Sequence, residues 1–285
     1  MRGMRKNFRL LDVFAIAGAR FSGNPLCVFE DGSGLADTQM QALALQFNLS
    51  ETTFILPSEQ ASAAVRIFTP AMELPFAGHP TLGTAAVVRD LARTGDRLTL
   101  AMTAGVIPVS ASGNAWTLQA NPPAVRMFDA GRIPDLAHAL GLDTADFAEP
   151  PRWIDTGMDQ LLVPLVSKES IRRTVPNPGL TQFANPSGKM SVYVFSPLGS
   201  GDEMLVRFFF AKNAGQVAED PATGSACANL GGYALASGHA LPLVRVLHQG
   251  EFTGRPSRLR LEVDANKRIF VGGDVVELGR GYIDL

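Results

Sequence analysis

The residues of this sequence with the most chemical potential are Glu51, His79, Asp220 and Ser225. Three of them fall in two short stretches that look alike, GHPTLGTA (Gly78 to Ala85) and EDPATGSA (Glu219 to Ala226). A step of 141 residues, from 79 to 220, carries His79 to Asp220, Gly83 to Gly224, Thr84 to Ser225 and Ala85 to Ala226. That step is close to half of the 285-residue chain. Each stretch follows a strand-like run and opens a helix rich in small residues. The pattern predicts two similar halves, each offering a helix N-terminus to one shared cleft. First-turn amides are unpaired and carry the positive end of the helix dipole, so they attract anions. A small carboxylate-bearing substrate is therefore the expected partner, held beside His79 and Asp220. Gly224 and Ser225, Gly83 and Thr84 and the Gly78 loop are expected to supply amide and hydroxyl donors, with the glycines allowing close approach of the ligand.

Glu51 begins a strand-like run, ETTFILP, at the end of a helix. A half-desolvated carboxylate there would have its pKa raised into the range useful for taking and returning a proton near neutrality. A solvated strand-end glutamate is the plainer alternative. His79, between Gly78 and Pro80, also fits a cap or a satisfied core histidine, and Asp220 before Pro221 fits an ordinary N-cap. The repeat favours chemistry over two independent caps. The turn Ser22 to Asn24 is a second candidate wall of the cleft, as is the DTGMD segment from Asp155 to Asp159; both are equally explained as plain turns.

Composition narrows the class. With 46% hydrophobic and 18% charged residues, the chain is an ordinary globular protein with room for one large or two medium cores. Its 25 basic and 27 acidic side chains are nearly balanced and lack a dense Lys/Arg run, so neither nucleic acid nor an anionic membrane surface is an expected partner. The start, MRGMRKNFRLLDVF, lacks the apolar core of a signal peptide, and no run approaches a membrane span. A cytoplasmic location is the default expectation. Cys27 and Cys227 make no disulfide framework or zinc spacing, and His79, His138, His239 and His248 form no chelating pair. Walker and dinucleotide fingerprints are absent. No metal or cofactor is expected.

The elements that must position these residues follow from periodicity. Leu10 to Glu30 reads as strand, turn, strand. Asp37 is expected to cap a helix with Met40, Leu43, Ala44 and Phe47 on one face. Glu51 to Pro57 and Ala64 to Thr69 read as partner strands. Pro80 suits the first turn of a helix with Thr84, Val87, Val88 and Leu91 inward and Gly95 at its end. Strands alternate from Asp96 to about Leu118. The second half repeats the theme: a polar helical stretch (Ser167 to Val175), strands Met190 to Phe195 and Met204 to Phe210, then a helix up to Gly238. That helix holds Ala226, Ala228, Gly231, Gly232, Ala234 and Ala236, a composition poor for an isolated helix but open to close packing by strands on every side. A boundary is expected near Asn121, Pro122 and Pro123. It divides the chain into lobes 1–122 and 123–285, with the last strand able to cross back to the first.

At these residues the chain resembles the PhzF family, the phenazine-biosynthesis-type isomerases with a diaminopimelate epimerase-like fold. The resemblance runs nearly end to end: DVF and SGNPLCVF, LSETTFIL around Glu51, RIFTPAMELPFAGHPTLGTA, EDPATGSA and GEFTGRPSRLRLEV. It implies an α/β (α+β) architecture of two similar halves, each a curved sheet or barrel wrapped around a central helix. It also implies cofactor-independent proton transfer, with Glu51 as general acid/base, His79 and Asp220 supporting it, and Gly78, Gly224 and Ser225 at the substrate. An amino-acid-derived or cyclic dienoic acid is the implied substrate class, and a homodimer the implied assembly. Related epimerases use one cysteine from each half, but the corresponding positions here carry Gly78 and Asp220. A thiol-dependent racemase and a non-catalytic binder of the same fold are the alternatives. The segment RFFFAKNAGQVAED departs from the family in carrying Lys212 where proline is usual, which bears on pocket shape.

Overall fold

The computed structural model describes residues 4–198, 201–213 and 215–285. The first three residues of the basic start, and Ala214 within RFFFAKNAGQVAED, lie outside the described residues. The chain divides into two compact units. One comprises the chain up to Gln119 together with Gly272–Leu285, the other Ala120–Val271.

In the first unit, β1 (Arg5–Ala15) and β2 (Asn24–Phe29) pair antiparallel. After helix α1 (Asp37–Phe47), β3 (Glu51–Leu56) joins β2 in parallel, and β4 (Ala63–Phe68) and the short β5 (Glu73–Leu74) follow antiparallel. Helix α2 (Gly78–Ala92) then carries the chain to β6 (Arg97–Met102), parallel to β4, and β7 (Gly105–Ser112) and β8 (Ala115–Gln119) continue as a meander. The last strand in chain order, β17 (Ile269–Asp284), pairs with both β8 and β1 and closes the sheet into a barrel.

Helix α2 is the barrel's filling. It packs against β1, β2, β3, β4, β6 and β8, and is buried on nearly every side from His79 to Val88. A helix apolar all round belongs inside a core. Gly83 explains how it fits so closely, since a Cβ there would lie 2.5 Å from Leu26 Cδ2 and 2.9 Å from Val13 Cγ2. Strand alternation sends Leu26 and Val28 inward and Cys27 and Phe29 outward. The outward pair joins Phe54 and Phe68 under the expected α1 face of Met40, Leu43 and Ala44. Phe29 and Phe54 stack at 4.8 Å between ring centroids.

The second unit holds β9 (Ala124–Met127), β10 (Arg152–Asp155), β11 (Asp159–Pro164), β12 (Ser191–Phe195), β13 (Glu203–Asn213), β14 (Gln216–Asp220), β15 (Leu243–Gln249), β16 (Ser257–Val263) and the start of β17. Strands β9 to β11 are antiparallel, β12 lies parallel to β11, and β13 is antiparallel to β12. One end of β13 pairs with β14 and the other with β15, which pairs with β16. Helix α5 (Gly224–Ala236) lies against β9, β10, β11 and β16. Residues of α3 (Ile133–Leu140) and α4 (Lys168–Arg172) build a separate core with Leu161, Val163, Val192, Val194 and Phe209. The fold class is thus mixed α+β, a closed barrel with few helices.

Some local expectations shift. Asp37 is the first residue of α1 rather than its cap, and Gln39 Oε1 accepts from the Ala36 amide instead. Helix α2 stops at Ala92 with Arg93, not Gly95, in the left-handed conformation. Of the polar stretch 167–175, only Lys168–Arg172 is α-helical, capped by Ser167.

Candidate functional site

Glu51 is the first residue of β3, registered beside Leu26 of β2, and His79 is the second residue of α2. The barrel thereby brings together two side chains that are 28 residues apart (79 minus 51) in sequence: His79 Nε2 lies 3.4 Å from Glu51 Oε2. The His79 side chain is 6% exposed and that of Glu51 16%. Burial drives the His79 pKa down from 6.5 to about 3, against a smaller opposing pull from its hydrogen bond to the Pro25 carbonyl. Proline has no backbone N–H, so the ring is the donor in that bond, and the proton sits on the nitrogen facing Pro25. Nε2 therefore presents a lone pair towards Glu51. This neutral tautomer can receive a hydrogen bond from a protonated Glu51 carboxyl.

The rest of the first motif is structural. Thr84 is fully buried and its hydroxyl meets that of Thr53 at 2.8 Å, tying α2 to β3. It is not a donor at a cleft, and Gly83 serves helix packing rather than ligand approach. Ser22 is buried with its hydroxyl spent inside the turn, accepting from the Ile16 amide at 2.8 Å and donating to the Ala19 carbonyl at 2.7 Å. Asn24 is buried at the start of β2, opposite Val13. Gly78 opens α2 and is partly exposed. A cavity lined by Glu30, Ile55, Leu56 and Val88 lies at the far end of β3 and includes none of these residues.

In the second unit, Asp220 ends β14, and three residues later Thr223 is the N-cap position of α5. Asp220 is thus not a helix cap. Its Oδ2 accepts from the Thr223 hydroxyl at 2.5 Å. Ser225 is the second residue of α5 and accepts from Gln160 Nε2 at 2.9 Å. Gln160 in turn accepts from Asn229, whose Oδ1 takes two hydrogen bonds from Thr156. Asn229 Nδ2 also donates to the Met158 carbonyl at 2.8 Å, and the Ser225 hydroxyl, accepting from Gln160, donates to Met158 Sδ at 3.9 Å.

The two helices are not in the register of the repeat. They begin 146 residues apart (224 minus 78), five more than the motif offset, so Ser225 rather than Asp220 occupies the helical position of His79. The cause is local: Asp220 to Thr223, with Pro221 in it, stays extended or turned, whereas Gly78-His79-Pro80 is already helical.

The DTGMD segment is a braced turn, with Asp155 accepting from the Gly157 amide at 2.7 Å and Asp159 ion-paired with Arg126. Burial raises the Asp159 pKa and Arg126 pulls it back. Cys27 and Cys227 are fully buried, and desolvation pushes both thiols up, away from the reactive thiolate. Among the described residues, no three His, Cys, Asp or Glu side chains gather as a metal-binding group, and no helix is long and apolar enough to cross a membrane.

The family model described as phenazine biosynthesis-like protein matches residues 11–281, nearly the whole chain. This chain belongs to that family. An uncharacterised isomerase of Pasteurella multocida is 40% identical, over 97% of this chain and 93% of its own. The trans-2,3-dihydro-3-hydroxyanthranilate isomerase of Pseudomonas chlororaphis is 35% identical, over 98% of this chain and 99% of its own. A crystal structure of a PhzF-family protein from Bacillus anthracis superposes with a TM-score of 0.84 at 25% identity, covering 99% of this chain and 100% of that one. The phenazine biosynthesis-like family is an isomerase family, and this chain is one of its members.

Sequence reasoning missed Pro25, Thr223, Gln249, Gln160 and Asn229. Pro25 and Thr223 lie inside the quoted motifs, but their roles depend on tautomer and hydroxyl direction. Gln160 and Asn229 carry no spacing signal at all. Gln249 immediately precedes the GEFTGRP segment, which was its only clue.

Proposed function

We propose that the protein is a cofactor-independent isomerase or epimerase that moves a proton on a small carboxylate-bearing substrate, with Glu51 as general acid and base. The observation that carries this reading is the pairing of Glu51 Oε2 with the lone-pair nitrogen of a buried, neutral His79 at 3.4 Å. Glu51 takes a proton from a carbon next to an unsaturated or carboxyl-stabilised centre. The protonated acid, held against Nε2, exchanges its proton with solvent and delivers one to a different carbon or face, so the substrate gains and loses one hydrogen and its composition is unchanged. Positioned acid–base catalysis of this kind contributes typically about 10²–10⁴-fold.

The remaining assignments follow from the resemblance and the local geometry. First-turn amides at Gly78 and Gly224, and the Ser225 hydroxyl once turned from its long contact with Met158 Sδ, bind the carboxylate or the developing negative charge, each such donor being worth about 3 kcal/mol. Asp220 accepts from a polar group of the substrate. Ser22 and Asn24 act indirectly, by shaping the turn that delivers the Pro25 carbonyl to His79. The trans-2,3-dihydro-3-hydroxyanthranilate named for the Pseudomonas relative is the first substrate to try, as a cyclic dienoic amino acid. The thiol-dependent alternative is disfavoured by the burial of both cysteines.

The test is turnover of that compound, and of related cyclic and acyclic unsaturated acids, in D₂O by dialysed protein with chelator present and no coenzyme added. Isomerised product carrying one solvent deuteron at the new C–H supports the reading. Activity that appears only when a metal or coenzyme is restored refutes it.

A further inference from the structure

Gln249, the last residue of β15, is 2% exposed and spends its whole side-chain amide on the segment Asp220 to Thr223. Its Oε1 accepts from the Thr223 amide at 3.2 Å, while Nε2 donates to the Asp220 carbonyl at 2.8 Å and to the Thr223 hydroxyl at 2.9 Å. The orientation of this amide is not arbitrary. A backbone N–H can only donate and a backbone carbonyl can only accept, so oxygen must face Thr223 N and nitrogen must face Asp220 O. The Thr223 hydroxyl, already accepting from Nε2, must then send its own proton to Asp220 Oδ2 at 2.5 Å. Next in sequence, Gly250 has φ +80°, and a Cβ there would stand 2.7 Å from the Pro221 carbonyl oxygen. Gln249 and Gly250 together form a bed on which the segment carrying Asp220 rests.

From this geometry we propose that Gln249 is a positioning residue, which through the Thr223 hydroxyl fixes the orientation of the Asp220 carboxylate and keeps it an acceptor. The proposal rests on the reading of Asp220 as a substrate-handling group. It assigns Gln249 no contact with substrate.

Gln249→Glu keeps an acceptor for the Thr223 amide but replaces the donor with an oxygen, so the Thr223 hydroxyl turns towards residue 249 and leaves Asp220. Thr223→Val removes the hydroxyl altogether, and Thr223→Ser preserves it. With trans-2,3-dihydro-3-hydroxyanthranilate as probe, Gln249→Glu and Thr223→Val should each lower kcat at least about tenfold with KM changed less than about threefold, and Thr223→Ser should restore kcat. The double variant should be no worse than either single, because both act through one hydroxyl. Crystal structures of Gln249→Glu and Thr223→Val should show the Asp220 carboxylate turned from its wild-type position.

Wild-type kcat in Gln249→Glu, multiplying effects in the double variant, or an unmoved Asp220 in both crystal structures would each overturn the proposal. If Gln249→Glu fails to fold, Thr223→Val and Thr223→Ser still decide it. Should the wild-type protein not turn over the probe, the functional reading fails for that substrate, and the position of Asp220 in the crystal structures still decides the role of Gln249.

Discussion

Replacing His79 with glutamine gives the sharpest physical check on the Glu51–His79 pair. In the native protein burial lowers the imidazole pKa to about 3, whereas the unfolded chain protonates near its ordinary 6.5. As pH falls below 6.5 the unfolded state takes up a proton that the native state refuses. Stability is therefore full above 6.5 and declines as pH falls towards 3, by up to about 1.4 kcal/mol per pH unit. Between pH 7 and pH 5 the loss from this residue is about 2 kcal/mol. For a chain of this length that corresponds to roughly 3 to 4 °C in Tm. Glutamine has no titrating group, so the His79→Gln variant should be less stable at pH 7 yet lose about 2 kcal/mol less than wild type on going to pH 5. Urea unfolding of both proteins at pH 7, 6 and 5 measures the difference, since other titrating groups are shared and cancel. Parallel pH curves for the two proteins would refute the neutral, buried imidazole and with it the lone pair facing Glu51.

Three further outcomes are expected. Thr84→Val strands the buried Thr53 hydroxyl and should cost about 1–3 kcal/mol in chemical denaturation; an unchanged unfolding midpoint would show that the hydroxyl pair does not tie α2 to β3. Gly83→Ala forces a methyl group against Leu26 and Val13 and should destabilise by about 1–3 kcal/mol, while a ligand-approach role would instead show as weakened binding at unchanged Tm. Conversion of Cys27 and Cys227 to alanine should leave kcat within about threefold of wild type, because neither buried thiol takes part in the proton transfer; loss of isomerisation in a folded double variant would revive the thiol mechanism.

Local patterning made much of this fold legible. The i, i+3, i+4 spacing of Met40, Leu43 and Ala44 marked the packed face of α1, and the small, apolar residues of both motif helices marked them as central. Glu51 and His79 were each readable as candidates, and the barrel brings them within reach of one another. Closure of that barrel by β17 depends on pairing between residues such as Arg5 and Asp284, a separation no local signal reports. The helical register of the second motif was misread because residue identity at an offset says nothing about where a helix begins; Pro221 keeps the Asp220 segment out of α5. Thr84 looked like a donor by analogy with Ser225, but the two hydroxyls meet different partners, Thr53 in one unit and Gln160 in the other. The glutamines and asparagine that orient Asp220 and Ser225 act through hydrogen-bond direction, which only the assembled network defines.

The most direct measurement is solvent deuterium exchange into a turned-over substrate by wild type and by Glu51→Gln at equal ligand saturation. Wild type should place one deuteron in the isomerised product. Glu51→Gln should bind the ligand with little change yet exchange at least about 100-fold more slowly. Exchange at the wild-type rate by Glu51→Gln would contradict the assignment of Glu51 as the residue that carries the proton.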